Sequence, residues 1–194
     1  MIAHNKKNIA VFASGTGTNA DNLISYFNKT QTATVCLIVC NNPNAGVIKI
    51  AERNNIPYIL IEKEKFFKRD GYVPELKNER TDFIVLAGFL WKLPSTLINA
   101  YRNKIVNIHP ALLPKFGGKG MYGNNVHEAV LSAKEKESGI TIHFVDEFYD
   151  NGKTIFQTTC PVYENDTTET LSKRIHELEY KYFPKVIEEV IQRI

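Results

Sequence analysis

The chain is poor in the residues from which disulfide-stapled, membrane-bound and metal-binding proteins are built. Three of its 194 residues are cysteine, and an odd number in strand-like surroundings predicts reduced thiols in a cytoplasmic protein. Cys36 and Cys40 share one face of a predicted strand, but no neighbouring Cys or His completes a ligand set, so we expect no metal site. No apolar run approaches the ~18 residues that span a bilayer, and the first residues lack the apolar core of a signal peptide. We therefore expect no contact with a membrane.

The chain also lacks a strong excess of charge of either sign. Its 24 Lys and Arg against 21 Asp and Glu leave a net charge of +3 at pH 7, which gives no argument for nucleic acid. The hydrophobic content of 43% is ordinary for a soluble globular protein. There is no internal repeat, low-complexity tract or linker. We predict one domain, residues 1–194, with small-molecule partners and no nucleic acid.

A glycine-rich segment follows the first predicted strand, residues 8–13. It reads Ser-Gly-Thr-Gly-Thr-Asn over residues 14–19, here called the glycine turn, and a helical pattern follows from Asp21. Free backbone N–H groups and the positive end of a helix dipole favour phosphate at such a place. The alternative is a plain tight turn between a strand and a helix.

The glycine turn also fits the loose dinucleotide fingerprint G-x-G-x-x-A. That fingerprint expects an acidic residue about 20 residues further on, at the end of the second strand. The second predicted strand, residues 34–40, is followed by Asn-Asn-Pro-Asn and by no carboxylate. We therefore favour a phosphate site over a dinucleotide site.

Two further predicted strands end in segments that suit a ligand site. Residues 83–87 form a continuous apolar run, typical of a central parallel strand, and residues 88–94, here called the tryptophan loop, hold the only tryptophan. The apolar side chains of that loop either line a pocket or cap the core. Residues 105–109 form a β-branched strand in which Asn107 and His109, two apart, point to one face. Ligands bind at this end of the strands in open α/β sheets.

Strands and helices alternate up to this point, which predicts an α/β fold with a Rossmann-like, mostly parallel sheet and helices on both faces. Residues 62–80 are charged and helical in pattern, although Gly71 and Pro74 argue against one unbroken helix. The glycine-rich residues 115–125 predict a loop near the site, here called the long loop.

The C-terminal part of the chain has a different pattern. Residues 139–145 alternate in polarity, which predicts an exposed, antiparallel strand. Residues 154–162 form another strand. The last helix starts at Asp166 and runs towards Ile194, bent or broken at Pro184.

Together these stretches resemble the phosphoribosylglycinamide formyltransferases, folate-dependent enzymes of purine synthesis, over nearly the whole chain. Residues 14–19 look like that family's phosphate loop, residues 107–114 like its core motif and residues 139–152 like its second motif. The resemblance implies the formyltransferase fold. It also implies transfer of the formyl group of 10-formyltetrahydrofolate, a co-substrate, to the amine of 5′-phosphoribosylglycinamide without a metal, by a monomer or homodimer.

The resemblance also implies roles for individual residues. Those implied to be catalytic are Asn107, His109 and Asp150. Those implied to bind the ribonucleotide are Gly15, Thr16, Gly17, Thr18, Asn19 and Glu179. Those implied to contact the folate are Arg69, Leu90, Trp91, Lys92, Leu93, Asn107 and Asp146. We expect Asn107 to donate to the developing oxyanion and His109 to act as an imidazolium that Asp150 keeps charged.

Other formyl-transfer enzymes share such a trio and are the main alternatives: formyltetrahydrofolate hydrolase and the sugar-nucleotide or tRNA formyltransferases. We expect an N-terminal regulatory domain in the hydrolase and a C-terminal module in the tRNA enzyme, and this chain shows neither pattern. A dinucleotide-binding module and an inactive binding protein are further alternatives. The chain departs from the family at residues 116–123 and at Tyr180, where the family often has His.

Overall fold

The alternation of apolar strands and amphipathic helices produces one seven-stranded sheet in the computed structural model, which describes residues 6–193. Ile194, towards which the last helix was predicted to run, and the N-terminal residues 1–5 lie outside the described residues. The strands are β1 Lys7–Ala13, β2 Ala33–Cys40, β3 Tyr58–Leu60, β4 Phe83–Leu86, β5 Ile105–His109, β6 Glu137–Phe144 and β7 Thr154–Pro161. The helices are α1 Thr18–Thr30, α2 Gly46–Arg53, α3 Lys63–Lys68, α4 Val73–Asn78, α5 Ser95–Ala100, α6 Asn124–Ser132 and α7 Thr168–Gln192.

The sheet confirms the predicted fold class. Its strand order is β3-β2-β1-β4-β5-β6-β7. The pairs among β3, β2, β1, β4 and β5 are parallel, whereas β5 with β6 and β6 with β7 are antiparallel. The chain leaves β1 for β2 on one side and later returns to β4 on the other. The carboxyl ends of β1 and β4 therefore form a topological switch point, the usual place for a ligand in such sheets.

Helices cover both faces of the sheet, and each face has its own apolar core. Successive side chains of a strand point to opposite faces, so Val11 of β1 packs into the core under α1, α2 and α7, and its neighbour Phe12 packs into the core under α3, α4 and α5. Both side chains have no exposed surface. The central strands are thus sandwiched, as the apolar run of β4 predicted.

The region of residues 62–80 is two short helices, α3 and α4, as Gly71 and Pro74 predicted. Gly71 lies between them with φ of 61°, a conformation that glycine adopts without strain. No helix within residues 6–193 is long and apolar enough to cross a bilayer. In the same residues no three His, Cys, Asp or Glu side chains are grouped as metal ligands.

In the C-terminal part, the exposure predicted for residues 139–145 was wrong, and of the predicted bend or break of the last helix at Pro184 the break does not occur. Residues 139–143 of β6 are buried rather than exposed, because β6 is an interior strand between β5 and β7 and α7 packs against it. Helix α7 is not broken at Pro184, which lies buried inside it. A proline removes one intrahelical hydrogen bond. The helix nevertheless continues through Pro184, and its neighbours Phe183 and Ile187 are buried.

Candidate active site

Four polar side chains meet at the carboxyl end of β5, and three of them were predicted to do so. Asn107 Nδ2 lies 3.4 Å from Asp150 Oδ1, and His109 Nδ1 lies 3.6 Å from Asp150 Oδ2. The fourth is His143, whose Nε2 lies 3.6 Å from Asp150 Oδ1. These four residues are called the polar cluster below. Asp150 lies at its centre, with 12% of its side chain exposed.

His143 is the member that sequence reasoning missed. It is the register partner of Asn107 in the antiparallel β5–β6 pair, and Asn107 Nδ2 lies 3.1 Å from its Nε2. Its Nδ1 lies 2.8 Å from the Phe144 carbonyl oxygen. A carbonyl only accepts, so Nδ1 carries the proton and Nε2 accepts from the Asn107 amide. The alternation of residues 139–145 gave the face of His143, but no sequence pattern gave the register that sets it beside Asn107.

The long loop closes over Asp150 through two glycines. The Gly118 N–H donates to Asp150 Oδ2 at 2.9 Å. A Cβ on Gly117 would lie 2.5 Å from Leu113 Cδ2 and 3.2 Å from Asp150 Cβ, so a larger residue would require the Leu113 side chain and Asp150 to shift. Asp150 itself has φ of 50°, which Asp and Asn tolerate better than most residues.

Burial, rather than Asp150, sets the charge of His109. Its ring is 3% exposed, and this burial lowers the pKa of His109 by more than the Asp150 charge and the Phe116 carbonyl raise it. The ring is therefore neutral at pH 7, contrary to the expectation that Asp150 keeps it charged. Nε2 lies 2.8 Å from Phe116 O and so holds the proton. Nδ1, the unprotonated nitrogen, faces Asp150.

Asp150 is a carboxylate at neutral pH. Burial raises the pKa of Asp150. The opposing effects of His143, His109 and the Gly118 N–H are together larger, so its pKa lies below the ordinary 3.8. A carboxylate that accepts hydrogen bonds in this way is stabilised in its ionised form. The cluster therefore combines an amide donor, one anion and two imidazoles, of which the His109 ring is neutral at pH 7.

The glycine turn leads into α1 at the switch point of the sheet. Gly17 is the N-cap of α1 with φ of 81° and without a capping side chain, and a Cβ there would lie 2.7 Å from Val47 Cα. Helix α1 begins at Thr18, three residues before the predicted start, so Thr18 and Asn19 lie in its first turn. The N–H groups of this turn have no intrahelical acceptor. A Cβ on Gly15 would meet nothing within 4 Å, so the turn is open on that side.

Glu179 of α7 lies beside this helix start. Asn19 Nδ2 donates to Glu179 Oε2 at 2.8 Å, while Asn19 Oδ1 is buried without a hydrogen-bond partner among residues 6–193. Burial raises the pKa of Glu179 to about 7, despite the opposing effect of the Asn19 hydrogen bond. His176 Nε2 is 4.0 Å from the same carboxyl group. A partly protonated carboxyl group and an unsatisfied amide oxygen together suit a hydroxyl-bearing ligand.

The tryptophan loop lies on the other side of the switch point. Its sequence left open whether its apolar side chains line a pocket or cap the core, and the structure shows some of each. The Trp91 ring packs 5.7 Å from Phe66 and 5.4 Å from Phe67, centroid to centroid, and so covers the α3 side of the core. A cavity of about 320 Å³ adjoins the loop. Its lining residues are Phe67, Lys92, Leu93, Pro94, Ser95, Ile98 and Glu147.

Three other residues assigned to the folate, Leu90, Asp146 and Arg69, do not line this cavity. The Leu90 N–H donates to Ser14 Oγ, so a ligand meets only its carbonyl and its side chain, which is 47% exposed. Asp146 accepts from the Phe148 N–H and from Asn151 and thereby shapes its own loop. Arg69 follows α3 with an exposed guanidinium 3.5 Å from Glu64. None of these contacts joins Arg69 to the polar cluster.

A third buried histidine, outside the polar cluster, gives a prediction for the pH dependence of stability. His127 of α6 is 2% exposed, and burial, followed by the charges of His176 and His109, lowers its pKa to about 4 from 6.5. As the pH falls, His127 therefore binds a proton in the unfolded chain at a higher pH than in the folded chain. The folded state loses stability relative to the unfolded state between pH 6.5 and about 4. We expect this residue to reduce the free energy of unfolding by up to about 3 kcal/mol over that range.

The measurement is urea unfolding at a series of pH values for the wild type and for His127→Phe. The variant keeps an apolar ring of similar size and cannot titrate, so its acid decline should be shallower. Equal declines in the two proteins would remove His127 as a cause.

Comparison with known proteins shows the family to which the chain belongs. Residues 7–187 match the family model described as formyl transferase. The chain belongs to the formyl transferase family. Phosphoribosylglycinamide formyltransferase of Bacillus subtilis (strain 168) is 37% identical over 190 residues, which cover 95% of this chain and 95% of that protein. The chloroplastic protein of that name from Arabidopsis thaliana is 40% identical over 188 residues. That match covers 94% of this chain and 64% of the relative, so the chain spans less than two thirds of its length.

Solved structures agree with the family assignment. The crystal structure of phosphoribosylglycinamide formyltransferase from Bacillus halodurans has a TM-score of 0.86 at 36% identity and covers 95% of both chains. That of glycinamide ribonucleotide transformylase 1 from Geobacillus kaustophilus has a TM-score of 0.86 at 36% identity, covering 96% of this chain and 99% of that one. The family resemblance and the formyltransferase fold inferred from the motifs are confirmed.

Proposed function

We propose that this chain transfers the formyl group of 10-formyltetrahydrofolate to the amine of 5′-phosphoribosylglycinamide, giving formylglycinamide ribonucleotide in de novo purine biosynthesis. The chain belongs to the formyl transferase family, and the observation that carries the proposal is where its polar cluster lies. It lies at the carboxyl edge of the sheet, where the glycine turn at the start of α1 offers an anion site and the tryptophan loop adjoins an open cavity.

In this proposal Asn107 provides the electrophilic assistance. Attack of the amine on the formyl carbon places negative charge on the formyl oxygen, and an amide N–H aimed at that oxygen stabilises the transition state. Asn107 Nδ2 has two hydrogens, of which one is directed to His143 Nε2 at 3.1 Å. The other makes only the long 3.4 Å contact with Asp150, which an oxyanion can replace. His143 thus fixes the amide with its second N–H on the side of Asp150.

Asp150 and His109 handle the proton. The attacking amine must lose a proton and the leaving folate nitrogen must gain one. Asp150, ionised because its pKa is lowered, accepts that proton directly or through a water molecule. The unprotonated Nδ1 of His109, 3.6 Å away, is a second acceptor and, once protonated, stabilises the carboxylate. No covalent intermediate with the protein is needed, and the three cysteines take no part.

The ribonucleotide phosphate is assigned to residues 15–19 of the glycine turn, and Glu179 with Asn19 to the sugar side. The folate is assigned to the tryptophan loop and the adjoining cavity, where Lys92 Nζ lies 5.8 Å from the centre of the Tyr149 ring and links this loop to residues 146–152. Holding the amine and the formyl group side by side lowers the barrier by positioning alone. We further propose a cytoplasmic enzyme of one domain, a monomer or homodimer, that needs neither metal nor nucleic acid.

The proposal is tested with purified protein, 10-formyltetrahydrofolate and the ribonucleotide, by following release of the deformylated folate. Release that depends on the ribonucleotide supports it. Release without any acceptor indicates a hydrolase instead. Binding of the folate without release in either case indicates a different amine acceptor.

Gly15 gives a prediction for the phosphate site. Replacing it with leucine should raise KM for the ribonucleotide by about tenfold or more, a loss of about 1.4 kcal/mol, because the side chain would occupy the open side of the glycine turn. The kcat and the KM for the folate should change little, because Gly15 accepts a hydrogen bond from the Val47 N–H and belongs to neither the polar cluster nor the tryptophan loop. Steady-state kinetics check this. The melting temperature is the control, since a Cβ there meets nothing within 4 Å, and an unchanged KM for the ribonucleotide would place the phosphate elsewhere.

A further inference from the structure

Ser14, the first residue of the glycine turn, joins three strand ends at the switch point. Its N–H donates to Gly88 O at 3.0 Å, and its carbonyl accepts from Asn42 Nδ2 at 3.3 Å. Its hydroxyl accepts from the Leu90 N–H at 2.9 Å. Gly88 and Leu90 follow β4, and Asn42 follows β2. The side chain is 5% exposed, so these are shielded hydrogen bonds.

Two of the three hydrogen bonds use the backbone of Ser14, and only the third uses its side chain. Alanine at this position would keep both backbone bonds and lose only the one from the Leu90 N–H. That N–H would then be unpaired in a partly buried place, which weakens whatever conformation it holds. The hydroxyl therefore acts on the tryptophan loop, and the glycine turn itself does not depend on it.

We propose that Ser14 is a positioning residue that holds the tryptophan loop against the glycine turn and thereby sets the affinity for the folate co-substrate. The proposal rests on the assignment of the folate to that loop under the proposed function. Ser14 does not touch the reacting atoms. Its hydroxyl fixes Leu90, the residue before Trp91, and so places the wall of the cavity beside Leu93 at a fixed distance from the phosphate site.

The chain supplies its own reporter and its own control. Trp91 is the only tryptophan, so intrinsic fluorescence reports on this loop alone. Ser138 of β6 is 1% exposed, and its hydroxyl has no hydrogen-bond partner among residues 6–193. Ser138→Ala thus removes a buried hydroxyl of the same kind that holds no loop. Ser14→Thr keeps a hydroxyl in place.

The experiment titrates 10-formyltetrahydrofolate, without acceptor, into each protein and follows Trp91 fluorescence, then measures KM for both substrates. Ser14→Ala should weaken folate binding about tenfold, the effect of leaving one donor unpaired. KM for the ribonucleotide and kcat should change less than about twofold, since Ser14→Ala keeps both backbone hydrogen bonds of this residue and leaves residues 15–19 and the polar cluster unchanged. Ser14→Thr should stay closer to the wild type than Ser14→Ala, and Ser138→Ala should match the wild type.

Three results would overturn the proposal. The first is folate binding by Ser14→Ala within about twofold of the wild type. The second is an equal loss of folate affinity for Ser14→Ala and Ser14→Thr, and the third is an equal loss of affinity for both substrates; either of these indicates a general packing defect. Failure of the proposed function has a different signature, since the wild type itself would then bind no folate or transfer no formyl group.

Discussion

Replacing Asp150 with asparagine is expected to lower kcat by about 10²- to 10⁴-fold, the usual loss when a general acid–base group is removed. The amide keeps nearly the shape of the carboxyl group and tolerates the φ of 50° at this position. Its oxygen still accepts from the Gly118 N–H. What is lost is the negative charge and the site for the proton of the attacking amine.

The KM values and the melting temperature separate this effect from a structural one. Both should change little in Asp150→Asn, because the polar cluster keeps its hydrogen-bonding geometry. Loss of the carboxylate also removes an influence that raises the pKa of His109. That pKa should therefore fall further, which NMR titration of the ring can follow. A variant with wild-type kcat would remove Asp150 from the mechanism.

The second large effect is expected at Asn107. Asn107→Ala removes the proposed oxyanion donor, and loss of one such donor lowers kcat by about 10²- to 10³-fold. The truncation also leaves His143 Nε2 without the amide it accepts from at 3.1 Å. Because the lost interaction exists mainly in the transition state, kcat and kcat/KM should fall by similar factors.

Asn54→Ala is the matched control for Asn107. Asn54 also uses its amide group as a donor, to Ile50 O at 2.8 Å, but it follows α2 at the opposite end of the sheet. This variant should keep wild-type kcat. A small effect of Asn107→Ala on kcat, or an effect confined to KM, would assign the oxyanion to another donor.

The local features of the site could be predicted from the sequence because each depends on a short segment. The phosphate site was predicted from an apolar strand followed by the glycine turn and a helical pattern. Asn107 and His109 were predicted as site residues because they are two apart on one strand and so point to the same face. The motif resemblance added Asp150. Only the start of α1 was placed three residues late, because Gly17 acts as the N-cap without a side-chain signal.

The features that were missed depend on tertiary packing. His143 belongs to the polar cluster through the register of β5 with β6, and register is decided by contacts far apart in sequence. The burial of β6 follows from its interior place in the sheet, although its alternation is that of a strand with one solvated face. The charge of His109 depends on its burial in the folded chain, which lowers its pKa by more than Asp150 and the Phe116 carbonyl raise it.

The measurement that tests the account most directly follows an isotopically labelled formyl group from 10-formyltetrahydrofolate by mass spectrometry. We predict that the label appears in the ribonucleotide, that its appearance requires both substrates, and that Asp150→Asn abolishes it on the same time scale. Label found in free formate, at a rate independent of the ribonucleotide, would contradict the account.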